Sequence, residues 1–384
     1  MVKISDTATI LTRTAGNRTL RRPGDFKKRT SRRFPRRPFG RPQTRGTVLT
    51  VGSQERTNPN ALRIVPLGGC EEVGRNMTVF EYGNDIILFD MGLQFPEEDM
   101  PGIDYIIPNI KYLSGKEHRI RGVVFSHGHL DHIGAAPLLL EKLGYPPLIA
   151  MPLTLALIKH RQEDFQKGSA KKLKTITVSN VNQTVRLGVF TVKFFQVEHS
   201  IMDSVGTIIQ TPAATVVHPG DWTMERDREG RTQLRYDQLA KLPRPTVLLL
   251  ESLGATNERR HGTYEEMYEN LYSILRDSPG RVLIATFSSQ VERVKWIIQA
   301  ASALGKFVAL DGYSMKVNIE MAKKLGYVKV PKGVLIEAEA IDDHPDNKVI
   351  LVCTGAQGED RAVLSRISSG DHRTIRLRKS DTVV

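Results

Sequence analysis

The chain has 384 residues, 40% hydrophobic and 25% charged, with a formal net charge of +13. That length suits two ordinary domains or one domain with a large insertion, and no apolar run approaches the roughly 18 residues of a membrane span. Its two cysteines, Cys70 and Cys353, stand far apart, which excludes a disulfide framework or a cysteine-paired metal site and points to reduced thiols in a cytoplasmic protein.

The charge is local. Between Arg18 and Arg45 stand twelve Lys/Arg and one acid, Asp25, so this segment holds +11 and the rest only +2. Residues 1–60 mix Pro, Gly and Arg with neither helical nor strand period, and are expected to form a disordered basic arm. Within it, Arg32–Phe39 interleaves guanidinium groups with rings, the composition of a nucleic-acid-binding arm. The alternatives are a merely solvated tail and an organelle transit peptide; dense prolines oppose the amphipathic helix of the latter.

Folded sequence begins at Ala61. Strands are expected at Leu62–Val65, Met77–Phe80, Ile86–Phe89, Val123–Phe125, Phe190–Val197, Gly206–Ile209 and Thr215–Val217. Helices are expected at Asp104–Leu113, His132–Leu143 and Leu153–Glu163. After about Asp227 strands and helices alternate: Thr246–Leu250, Tyr264–Leu275, Val282–Ala285, Gln290–Leu304, Phe307–Leu310, Met315–Leu325 and Val349–Cys353. Such alternation implies a parallel sheet covered by helices.

The most informative stretch is Ser126-His127-Gly128-His129-Leu130-Asp131-His132, directly after the apolar run Val123–Phe125. Three His and an Asp over six positions are too close for one helix face but suit a tight loop around two ions. Imidazole suits zinc, and a carboxylate extends the site to a second ion. Two such ions can activate a hydroxide and stabilise both oxygens of a phosphoryl displacement. His199, Asp221 and Asp90 each end an apolar run. A lone polar residue at a strand end is more often a satisfied turn former than a ligand. Their order after the His/Asp loop changes the odds.

His-x-His-x-Asp-His, then a strand-end His, then a strand-end Asp, resembles the metallo-β-lactamase superfamily pattern over residues 61 to about 225. Pro66–Asn76, Phe95–Asp99, Ala285–Ser289 and Thr354–Glu359 resemble the ribonuclease J family, in which a β-CASP domain is inserted into that fold. The resemblance implies an α/β fold: a four-layer αββα metallo-β-lactamase domain with an inserted doubly wound β-CASP domain, incomplete at its C-terminus. The domains would be 61–227, then β-CASP at 228–350, then 351–384 beginning the return to the first domain.

The resemblance also implies site residues. His127, His129 and His199 would hold one zinc, Asp131 and His132 a second, and Asp221 would bridge both, with manganese as an alternative metal. Asp90 would orient a ligand, while Asp131, Asp221 and Glu251 would be catalytic. A structural calcium would lie at Gly102 and Asp104. Ser288, Ser289, Gly355, Gln357 and Gly358 would hold RNA phosphates, through loop donors that follow strands.

The implied activity is RNA hydrolysis, 5′-to-3′ exonucleolytic with endonucleolytic cutting, in mRNA decay and rRNA maturation, by a cytoplasmic homo-oligomer without membrane contact. Three departures stand out. Glu251 replaces a commoner Asp, Tyr313 stands where Arg is common, and the chain reaches Val384 before a further His that would complete the second zinc. The rival readings are another hydrolase of the superfamily and an RNA-binding module without turnover. The long segment after Asp227 and the basic arm oppose the first; the absent His favours the second.

Overall fold

The computed structural model describes residues 58 and 60–384, except 98–99, 228, 230, 233, 257–261, 357 and 360–361. The expected basic arm, but for Asn58 and Asn60, lies outside the described residues, as does Gln357.

Three sheets organise the rest. The first joins β1 (Arg63–Gly68), β2 (Met77–Tyr82), β3 (Asp85–Phe89), β4 (Ile120–Val124), β5 (Leu148–Ala150) and β6 (Thr175–Thr177) in sequence order. Pairing is antiparallel up to β3 and parallel from β3 to β6. The second sheet has the order β11-β10-β9-β8-β7, with β7 Thr184–Leu187, β8 Phe190–Gln196, β9 Val205–Gln210, β10 Thr215–His218 and β11 Thr246–Leu248.

These two sheets pack face to face. Phe80, Ile87, Phe89 and Val124 of the first meet Phe190, Val192, Ile209 and Val216 of the second in one buried cluster. Every second residue of these strands points into that seam because side chains alternate along a strand. The outer face of the first sheet is covered by α1 (Leu130–Ile133), α2 (Ala136–Leu139) and α3 (Pro152–Phe165). On the outer face of the second, Phe195, Val197, Ile208 and Val217 pack under Trp222, Tyr236, Leu239 and Leu242. Among the described residues, the segment that covers this face carries a 3₁₀ turn, Leu239–Lys241.

The third sheet, order β14-β13-β15-β12-β16, is entirely parallel. Its strands are β12 Val282–Ala285, β13 Phe307–Asp311, β14 Leu335–Ile336, β15 Val349–Cys353 and β16 Thr382–Val383. One face is covered by α4 (Tyr264–Asp277), α5 (Val291–Ala303) and α6 (Tyr313–Lys324), the other by the turn Ala338–Asp343 and α7 (Val363–Ser368). With both faces covered, β15 is buried at all five positions. Thr263 and Glu266 cap α4 reciprocally, side chain to backbone in each direction.

Several expectations change. The helix over 104–113 shrinks to a 3₁₀ turn, Ile110–Leu113. Pro108 disfavours helical backbone before it, and Ile106 bridges to Gln94 instead. The helix from His132 splits into α1 and α2. Thr246–Leu248 pairs with β10 and closes the second sheet, so the first domain runs past 227. The expected return at 351–384 does not begin. β15 is the middle strand of the third sheet, and β16 adds to its edge. A buried bidentate pair, Arg281 to Asp381 at 2.9 and 2.7 Å, fastens that last segment to the start of β12. Among the described residues no helix is long and apolar enough to cross a membrane.

Candidate metal centre

Parallel strands deliver their following loops to one edge, and here β3 and β4 bring Asp90 and Ser126 side by side. Asp90 sits at φ +60°, a conformation an L-residue adopts at a cost of about 1–3 kcal/mol. The turn aims its buried carboxylate at the His/Asp loop. It accepts from Ser126 N at 2.8 Å, Ser126 Oγ at 2.9 Å and His132 Nδ1 at 2.8 Å. The loop is held from below as well. Carbonyls of Leu130, Asp131 and His132 accept from the backbone of Leu93, Asn76 and Met91 respectively. Gly92 must lack a side chain, because a Cβ there would lie 1.5 Å from Asp131 O.

This scaffold sets the imidazole tautomers. Ser126 Oγ gives its proton to Asp90, so His127 Nδ1, 2.9 Å away, donates to Ser126 Oγ and leaves the Nε2 lone pair facing inward. His129 Nδ1 stands 3.0 Å from both His127 Nε2 and His199 Nε2. Its other nitrogen lies 3.1 Å from Ser289 Oγ, in the loop after β12. His132, anchored at Nδ1 by Asp90, points Nε2 at Asp131 Oδ2 (3.4 Å) and Asp221 Oδ1 (3.3 Å). The second oxygen of Asp221 is 4.0 Å from His199 Nε2. Asp221 therefore presents one oxygen to each half of the cluster.

Burial pushes His127 well below the usual histidine range, with His132, His129 and His199 adding to it. Burial and then His199 bring His129 down to about 4. Burial likewise lowers His199. Burial opposes charge on His132 too, but Asp90, then Asp131 and Asp221, outweigh it and hold that ring well above its usual value. Burial would raise the Asp131 and Asp221 carboxyls; contact with His132 brings both below the ordinary range.

The donors fit a divalent cation. His127, His129 and His199 form one group and His127, His132 and Asp221 another, with ligand atoms in each group within 4.8 Å of one another. Nitrogens converging at 3.0 Å need a proton or a cation between their lone pairs, and one Nδ1–H of His129 cannot serve both His127 and His199 fully. Ligand atoms about 2.0–2.1 Å from a tetrahedral zinc stand a little over 3 Å apart, close to the spacing observed. Beside them, three carboxylates surround the single ring of His132, leaving net negative charge for a second cation.

Residues 71–255 match the family model of the metallo-beta-lactamase superfamily. Residues 279–384 match that of the ribonuclease J beta-CASP domain. Over 327 residues the chain is 37% identical to the protein named ribonuclease J of Corynebacterium glutamicum, covering 85% of this chain and 45% of that one. It is 37% identical over 331 residues to ribonuclease J of Thermus thermophilus, covering 84% and 57%. The chain belongs to the ribonuclease J family. It spans about half the length of the curated relatives it matches. A solved protein of unknown function from Enterococcus faecalis shares the fold, with TM-score 0.58 over 84% of this chain and 89% of that one at 17% identity.

The remaining candidate residues of this ribonuclease J family member are placed as follows. Ser288 and Ser289 flank a cavity of about 600 Å³ that opens beside His129. Gly355 and Gly358 form a turn after β15, joined by a 3.2 Å backbone bond. Glu251 follows β11 and accepts from Leu253 N, outside both ligand groups. Gly102 and Asp104 occupy an exposed turn, and among the described residues no third ligand completes a group there.

Three contributors carry no sequence signal of a role. Asn76 Nδ2 reaches Asp131 O and His132 Nε2, both at 3.2 Å. His218 stacks on Phe89 at 4.0 Å, accepts from Gly220 N, and is lowered to about 3, chiefly by burial. Asp203, at φ +66°, accepts from Leu153 N at 2.7 Å and from Tyr327 Oη at 2.9 Å, linking the His199 loop to α3 and to the residues after α6.

Proposed function

We propose that the His/Asp cluster is the centre of a zinc-dependent ribonuclease, which hydrolyses RNA phosphodiesters from the 5′ end and also cuts internally. The observation that carries this reading is the placement of His129, whose one nitrogen belongs to the ligand cluster while the other meets Ser289 of the β-CASP domain. Ligands and β-CASP loop thus converge on one cleft between the domains. The relatives named ribonuclease J supply the substrate class. Manganese suits the same nitrogen and oxygen donors. Roles in mRNA decay and rRNA maturation, a cytoplasmic location and a homo-oligomeric state follow the same resemblance.

His127, His129 and His199 would hold one ion, and Asp131 with His132 the other. Asp221 would share its two oxygens between them. Bound there, such ions polarise a phosphoryl oxygen and acidify water. The chain's own residues prepare this. Asp90 fixes the His132 ring, and burial keeps three imidazoles neutral so that their lone pairs are available. Ser288 and Ser289 stand where a substrate phosphate would pass the cluster, and Glu251 would orient a neighbour from the strand end beside Asp221.

Elemental analysis of the purified chain should find about one to two zincs, reduced in His127→Ala. With metal bound, Asp131→Asn should lower cleavage of 5′-labelled RNA by about 100-fold or more while RNA affinity stays within about threefold. A folded but metal-free protein, or equal loss of binding and cleavage in the variant, would count against the reading.

A further inference from the structure

We propose that His160 of α3 and Tyr313 of α6 form a slot that receives one planar base of single-stranded RNA beside the metal centre. The inference rests on the ribonuclease reading and names how that site holds its substrate.

Both rings line the 600 Å³ cavity that also exposes His129 and Ser289. They come from opposite domains. Their centroids are 6.2 Å apart and their planes meet at 35°. The stacked His pairs of this molecule, Phe89 with His218 and Phe307 with His344, lie at 4.0 and 3.9 Å. His160 and Tyr313 are therefore too far apart to stack on one another. A base lying between two rings needs roughly 7 Å, twice the 3.4 Å separation of neighbouring bases on a strand. The centroid separation is within an ångström of that, and a turn of the Tyr313 ring that removes the 35° tilt would bring the two faces parallel.

The two walls differ in freedom. His160 Nε2 is tied to Asp164 Oδ2 at 3.2 Å, one helical turn on, which steadies its ring. Tyr313 is 70% exposed and begins α6, so it can swing to fit. Phe287, 42% exposed, leaves another ring on the same cavity wall. Large rings left in water at a cleft gain little for folding and mark a binding surface. A hydrolytic centre next to them makes the occupant a nucleotide of the strand being cut. Bases in a duplex are already stacked, so the slot selects single strands, and because every base has a π-face it tolerates sequence.

The test places 2-aminopurine at successive positions of a phosphorothioate single-stranded RNA and reads its fluorescence on zinc-loaded protein. One position should be strongly quenched in the wild type and in Tyr313→Phe. In Tyr313→Ala that quench should vanish and affinity should fall about tenfold, with metal content and thermal midpoint unchanged. An abasic nucleotide at the same position should make wild type and Tyr313→Ala bind alike. Unchanged quenching and affinity in Tyr313→Ala, or a penalty that persists on the abasic strand, would overturn the slot alone while leaving the ribonuclease reading intact. Failure of the wild type to bind single-stranded RNA at all would overturn both.

Discussion

The metal centre and the parallel third sheet are both buried, but by opposite means. At the centre, Asp90, Ser126, His127 and His132 are polar and almost fully enclosed. Asp90 satisfies Ser126 and His132 from another loop, and Ser126 in turn satisfies its neighbour His127. In the third sheet, β15 is five buried residues of which none is charged, and its neighbours are held by apolar side chains on both faces. A polar buried site is stable only while every partner is present, since an unpaired buried charge costs far more than a lost contact. An apolar sheet degrades in proportion to the volume removed.

A matched pair of truncations gives the largest expected effects and the hardest test of that contrast. Asp90→Ala strips His132 of its anchor and should cost about 3–5 kcal/mol in denaturant unfolding, with loss of bound metal in the surviving folded fraction. Ile350→Ala, a buried position of β15, should cost a similar ~2–5 kcal/mol yet leave metal content per folded chain unchanged. If both variants lose metal alike, the centre is not separable from the sheet.

Acidification should sharpen the contrast with a smaller effect. His218 is lowered from its usual range to about 3 by burial, so the unfolded chain binds its proton first as pH falls. Its contribution to stability is complete above about 6.5 and is lost as pH drops from there towards 3, at up to ~1.4 kcal/mol per pH unit. In metal-free protein, His218→Gln should flatten the stability profile over that window. An unchanged slope would show that the ring is not held neutral. The smallest effect is expected across the domain boundary. Tyr327→Phe removes one hydrogen bond to Asp203 and should cost about 1 kcal/mol, read as a shifted urea midpoint. A loss of several kcal/mol would mean that the domains cooperate more than their contacts suggest.

How much of this was legible depended on how local the signal was. Ser126–His132 announces itself because four ligand-type residues crowd one loop. His199, Asp221 and Asp90 were readable as polar residues closing apolar runs. Asn76, His218 and Asp203 were not, nor was the part that Ser126 plays within its motif, because what gives each its role is a partner on another loop or strand. Ser126, for example, orders His127 only because Asp90, 36 residues earlier, takes its proton. The boundaries suffered for the same reason. Thr246–Leu248 reads as the start of a new alternation, yet its hydrogen bonds go back to β10.

The order of apolar runs and turn formers, the crowding of His and Asp after one strand, and the strand–helix rhythm of the second half were determined by the sequence alone, because each depends on neighbours in the chain. Which sheet β11 and β15 join, which nitrogen of each imidazole faces inward, and the meeting of His129 with Ser289 were decided only by tertiary structure. These rest on hydrogen bonds and packing between residues tens to more than a hundred positions apart. No local pattern records them.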